Sequence, residues 1–291
     1  MSELASQSTQ QLFSKWRTGD AAAGQAMAQR FSDWYYAISA SRLGDANCRA
    51  ALQRACQRFA QGVASVTESS KLADWAHGII AEEIAVAGGR TQGGDHPNAL
   101  TNHRSPTELL RKVQPHLTHD QVQLLAATYQ KSRSLEEVKR LSAGHGGYPL
   151  AVLEARYALK KALKLHESVG FSELPERPNL DWGPLPLYEG ARMSEGKEEK
   201  AFETWMLTDL SLCKDIAEFA AFALALRAGA YGAGSVQDVG RPEAPPPRPE
   251  RREVEAEPEP EGDNTPLIIV GAVVGAVLLL GLIYLVVTQL L

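Results

Sequence analysis

The sequence predicts an all-α protein. Three observations carry that expectation. Apolar residues recur at three- and four-residue spacing through most of the chain, helix-capping residues stand at the breaks between those runs, and the first ninety residues contain no run that reads as a strand. The 291 residues exceed what one compact domain usually needs, and the apolar content of 44% is ordinary for a globular protein.

Residues 1–87 read as a first small bundle of four helices. In "QQLFSKWRTGDAAAGQAMAQRFSDWYYAISASRL", Leu12, Trp16, Met27, Phe31, Trp34 and Ile38 fall near helical spacing. Gly19-Asp20 divides this run, with Asp20 placed to cap the second helix, and Gly44-Asp45 divides it from the third. Leu52, Cys56, Phe59 and Val63 then share one face, and Leu72, Trp75, Ile79, Ile80 and Ile84 supply a fourth helix. In "WYY", Trp34 is expected inward with one tyrosine facing out; Trp75 reads as core rather than as an exposed platform.

Residues 88–106, rich in Gly, Pro, Asn and His, read as a linker. A second small bundle follows at 107–167, containing a candidate helix-turn-helix. Thr107 is placed to cap its first helix and Thr118 or Asp120 its second. Ser134 with Glu137 forms a capping-box signal before "LEEVKRL", and Pro149 suits the first turn of the last helix. The Pro- and Gly-rich stretch 168–196 reads as an extended linker. Residues 197–232 read as one or two helices with a broad apolar face, a candidate inhibitory segment. The Pro/Glu-rich residues 233–264 read as a disordered linker.

Residues 266–291, "PLIIVGAVVGAVLLLGLIYLVVTQLL", carry no charge. About 20 apolar residues cross a bilayer core, so 266–290 is expected to be a single C-terminal transmembrane helix. Arg248, Arg251 and Arg252 precede it and no positive charge follows, which places the N-terminal part in the cytosol, anchored by its tail to the inner (cytoplasmic) membrane of a bacterium. Gly271 and Gly275 form a GxxxG step, with Ala272 and Ala276 as a second small pair. Such a step lets two helices approach in lipid and points to a homodimer, although Gly is common in membrane helices generally.

The net charge of −5 is unevenly spread. Residues 1–170 hold 20 Lys and Arg against 15 Asp and Glu, and residues 171–291 hold 10 against 20. This places any polyanionic partner on the N-terminal side. Cys48, Cys56 and Cys213 lack CxxC spacing, so neither a disulfide framework nor a zinc site is expected. The N-terminus has no signal-peptide pattern. The histidines fall in no HxxxH or HExxH pattern, "GGRTQGG" lacks the Lys and Ser/Thr of a phosphate-binding loop, and no cofactor, metal or enzymatic activity is expected.

Two motif sets carry a family resemblance. Gly19, Asp20, Ala23, Met27, Arg30 and Phe31, a second Gly-Asp at 44–45, the helix with Ala51, Gln53, Cys56 and Phe59, and Trp75 with Ile79 form the first. "LTHDQVQLLAATYQKSRSLEEVKRL" followed by the basic helix "AVLEARYALKKALKL" forms the second. In layout and spacing they resemble regions 2 and 4 of a bacterial sigma factor of the extracytoplasmic-function type. The departures are polar positions of region 2 occupied by Gln53, Cys56, Glu82 and Val86, and Thr118 and Lys139 where the family has Pro and Ala. The resemblance implies a transcription regulator that binds core RNA polymerase through Arg30, Gln53, Cys56 and Phe59, and promoter DNA through the second bundle.

In that bundle the positions that would face base edges are Tyr148, Leu150, Ala151, Glu154 and Ala155, which offer no Arg, Asn or Gln for bidentate contacts. The basic residues come later. Arg156, Lys160 and Lys164 share a face at four-residue steps, Lys161 stands beside them, and Arg133 and Lys139 with Arg140 can join them. That set suits phosphate contact, which positions without specifying sequence. It equally suits a solvated basic face behind Val152, Leu159 and Leu163. The function expected first is a membrane-tethered transcription regulator released or activated by a signal; the alternative is a membrane adaptor that keeps the sigma-like scaffold and binds a protein partner without DNA.

Overall fold

Helix starts along the chain are set by short polar side chains that accept from the first orphan amides. Ser8 and Thr118 each form a reciprocal capping box, with Gln11 and Gln121. Asp20 accepts from Ala23, Ser134 from Glu137, and Asp209 from Ser211 and Leu212. The computed structural model describes residues 3–43, 45–88, 104–130, 132–194 and 196–231. These hold eleven α-helices and, among the described residues, no strand, as the periodicity predicts. They are α1 (Thr9–Arg17), α2 (Ala21–Arg42), α3 (Asp45–Gly62), α4 (Leu72–Val86), α5 (Pro106–Val113), α6 (His119–Tyr129), α7 (Leu135–Ser142), α8 (Leu150–Glu167), α9 (Leu185–Glu189), α10 (Lys197–Met206) and α11 (Leu210–Arg227). Ser105, not Thr107, caps α5, because Pro106 fits the first helical position and moves the start forward.

One core gathers Leu12, Phe31, Trp34, Tyr35, Ile38, Phe59, Leu72 and Ile80 from α1–α4 together with Leu185, Tyr188, Phe202 and Met206 from beyond residue 180. The Phe31 and Phe59 rings meet at a tilt, 4.5 Å apart, and Trp75 lies 5.5 Å from Phe59. Trp75 also lies over Gly62, where a Cβ would meet the indole at 2.7 Å, so it is packed against the core. Trp34 and Tyr35 are buried while Tyr36 faces out. A second core gathers Leu109, Leu110, Val113, Leu125, Tyr129, Val138, Val152, Leu159 and Leu163 from α5–α8.

Helix α11 belongs to both cores. Leu212, Cys213, Ile216 and Ala220 enter the first. Phe219, Phe222, Ala223 and Leu226 enter the second. A helix apolar on most sides is a central helix, and each fully buried Leu, Ile or Phe stabilises by about 1.5–3 kcal/mol.

The stretch 168–196, expected as an extended linker, is instead packed. Val169, Phe171, Leu185 and Tyr188 are buried, residues 180–182 form a 3-10 turn, and α9 follows Pro184. Its prolines start a short helix at the one place where a missing amide costs nothing. Residues 197–232, expected as one or two helices with a broad apolar face, supply α10 and α11, and α11 runs through the interior for the apolar reason given above.

Among the described residues no helix is long and apolar enough to cross a membrane. The expected membrane helix at 266–290, the linker at 233–264 and most of that at 88–106 lie outside the described residues.

Candidate functional site

Helix α8 has three faces. Val152, Ala155, Leu159 and Leu163 enter the second core; Glu154, Lys161 and Leu165 face solvent; Arg156 and Lys160 form the third. That third face is covered by α9, α11 and residues 171–172. Arg156 is 4% exposed and Lys160 3%.

The cover is acidic. Arg156 donates through Nε and Nη2 to the two carboxylate oxygens of Glu189, at 2.7 and 2.6 Å, the paired geometry a guanidinium favours. Its Nη2 also lies 2.6 Å from Asp215 Oδ2, and its guanidinium sits 4.3 Å over the Phe219 ring. Lys160 donates to Asp215 Oδ1 at 2.5 Å, lies 3.8 Å from Glu218, and stands 4.8 Å from the Phe171 ring. Tyr129 donates to Glu189 at 2.6 Å. Lys164 donates to the Ser172 carbonyl at 2.8 Å.

Burial raises the Asp215 carboxyl, but the charges of Arg156 and Lys160 outweigh this and hold it below the usual aspartate value. Burial lowers Lys160 from the ordinary lysine value despite Asp215. Arg156, which burial would lower, is raised by Asp215 and Glu189.

A second buried cluster lies on the first core. Glu203 of α10 is 1% exposed. It accepts from Tyr188 at 2.8 Å, bonds His77 Nε2 at 2.7 Å and pairs with Arg42, whose Nη2 is also 3.4 Å from Glu199. Burial raises this carboxyl; the bond to His77 and the charge of Arg42 draw it below the usual glutamate value.

Most residues expected at a binding surface lie among the described residues. For DNA, Arg156 and Lys160 are withdrawn into the interior, which corrects both the phosphate-contact and the solvated-face expectations for them. The reason is that acidic side chains from α9 and α11 meet them there: Arg156 pairs with Glu189 and Asp215, and Lys160 with Asp215. Arg133 bonds Gln123 and Glu137, Lys139 pairs with Glu136 at the surface, and Lys161 is exposed. For polymerase, Phe59 is core and Arg30 is buried, with its Nη1 3.3 Å from Thr9 Oγ1; Cys56 is half-buried and Gln53 exposed. Gly271 and Gly275 lie outside the described residues.

Glu189, Asp215, Glu203 and Arg192 are the residues sequence reasoning missed. Arg192 donates to the carbonyls of Ala127, Thr128, Gln130 and Arg133, closing the C-terminal end of α6 from a distance. The one sequence signal for the acidic partners was the twofold acidic excess after residue 170, which reads as internal neutralisation as readily as an acidic surface. Comparison with protein-family models, with curated proteins and with solved structures finds no match to this chain.

Proposed function

We propose that this chain is a non-catalytic interaction protein, held at a membrane by residues 266–290, that carries a sigma-factor-like arrangement of helices and binds a protein partner rather than promoter DNA. One observation carries the choice against DNA. The basic face of α8, on which phosphate contact was expected, is spent on Glu189 and Asp215 inside the protein. A phosphate-binding face needs cations free to displace counterions; in the series itself Arg156 and Lys160 are buried and Lys164 half-buried, and Lys161 beside it stands in solvent.

The partner surface in this reading is the outer edge of α3 and α4. There Gln53 is exposed, Arg58 bonds Glu82 at 2.6 Å and Glu83 at 2.9 Å, and Arg54 bonds Glu83 at 2.6 Å. Core RNA polymerase is the first partner to try, because Gln53 and Cys56 stand where the resemblance places polymerase contacts. Membrane attachment is supported by the uncharged run at 266–291.

The second reading, a membrane-tethered transcription regulator, draws on α7 and α8 joined by a Gly-rich corner, with Lys139 exposed. It requires α9 and α11 to leave the Arg156 face. A gel-shift assay with the full chain in detergent, run from 50 to 200 mM salt, separates the two. The adaptor reading expects no shift at either salt. Binding that weakens by a hundredfold or more across that range would overturn it. Core polymerase pull-down, compared with Arg58→Glu, tests the partner surface: retention unaffected by the variant removes that face.

A further inference from the structure

We propose that the adjacent residues Tyr188 and Glu189, with α11, latch the two cores into one cooperative unit, so that a disturbance in either is felt in both. The proposal stands apart from the functional reading.

Tyr188 turns into the first core. Its ring is 4.6 Å from Phe202, and its hydroxyl donates to Glu203 at 2.8 Å and lies 3.0 Å from Ser41 Oγ. Glu189, the next residue, turns the other way. Its carboxylate takes two bonds from Arg156 and one from Tyr129, both of the second core's helices. Neighbouring residues in a single short helix thus terminate two separate buried polar clusters. Three further ties hold the segment. Arg227 of α11 donates to the Glu189 carbonyl and, at 3.0 Å, to the Ser41 carbonyl at the end of α2. Gly190 lies so close to α6 that a Cβ would meet the Thr128 carbonyl oxygen at 2.7 Å. Arg192 then joins four carbonyls in the last turn of α6 and just after it. A helix this tied cannot follow one core without dragging on the other.

The tryptophans make the idea testable. All five belong to the first core or pack against it: Trp34 within it, and Trp16, Trp75, Trp182 and Trp205 around it. Tryptophan fluorescence therefore reports the first core, while Leu159 lies wholly in the second. In urea unfolding of the full chain in mild detergent, Leu159→Ala is expected to lower the fluorescence midpoint by about 1 M, in step with far-UV circular dichroism. A fluorescence midpoint unchanged by Leu159→Ala would overturn the coupling.

Tyr188→Phe asks the question from the other side and keeps the ring. It is expected to speed amide exchange about tenfold in α6 and α8 as well as in α2 and α10. Faster exchange confined to α2, α4 and α10 would show that residues 188–189 are not the latch.

Discussion

Arg156 and Asp215 stand 2.6 Å apart where neither would be tolerated alone. Removing one member of a buried pair leaves the other charge without compensation, a loss of about 3–5 kcal/mol. Arg156→Ala and Asp215→Ala are therefore expected to lower stability by that amount each, and together by less than the sum, because the contact they share is lost in both single variants but only once in the double. Lys161→Ala, five residues along the same helix but in solvent, is expected to stay within about 0.5 kcal/mol. Urea midpoints of the four proteins check this. If Lys161→Ala and Arg156→Ala cost the same, the buried placement of Arg156 is wrong. Gly190→Ala belongs to the same scale. Its new methyl has backbone oxygens at 2.7 and 3.0 Å, neither of which can swing aside as a side chain would, so about 1–3 kcal/mol of overpacking is expected.

At the scale of elements, α11 depends on its start. Asp209 accepts from Ser211 and Leu212, each at 3.1 Å, and its other oxygen accepts from the Trp182 indole at 2.8 Å. Burial raises this carboxyl, but the bonds from Ser211 and Trp182 outweigh it and hold the group below the usual aspartate value, as an N-cap carboxylate should be. Asp209→Ala is expected to cost about 1–2 kcal/mol, and to weaken both cores because α11 enters both. Thermal unfolding followed by circular dichroism would show it as a lower midpoint of a single transition. Helices α1 to α8 were legible because their signals are local: a cap, a glycine break and an apolar period read themselves off a window of ten residues. The segment 168–196 was not, since proline and glycine announce only that regular helix stops. What holds Tyr188 and Arg192 in place comes from α2, α6 and α10, outside the segment. The face of Arg156 and Lys160 was legible as a series, yet periodicity says which residues share a side and not whether that side meets water or Asp215.

Over the described residues, buried cations of the first part meet acidic partners from the second inside the protein. Arg42, His77, Arg156 and Lys160 come from before residue 170, and Glu189, Glu203, Asp215 and Glu218 from after it. This assigns a pH dependence to the fold. Asp215 and Glu203 both have carboxyls drawn below their ordinary values in the folded protein, after their cations outweigh burial. Between the folded and unfolded values the unfolded chain binds more protons, so stability rises with pH there. The contribution is therefore complete above the ordinary carboxylate range of about 4, and is lost as pH falls through the lower folded values. Urea midpoints measured from pH 7 down to pH 3 are expected to be flat in the upper half of that range and to fall steeply below about pH 4. Asp215→Asn removes one titrating group, so its curve should begin lower at pH 7 and descend less steeply. An acid limb as steep as the parent's would mean that the Asp215 cluster does not carry the pH dependence.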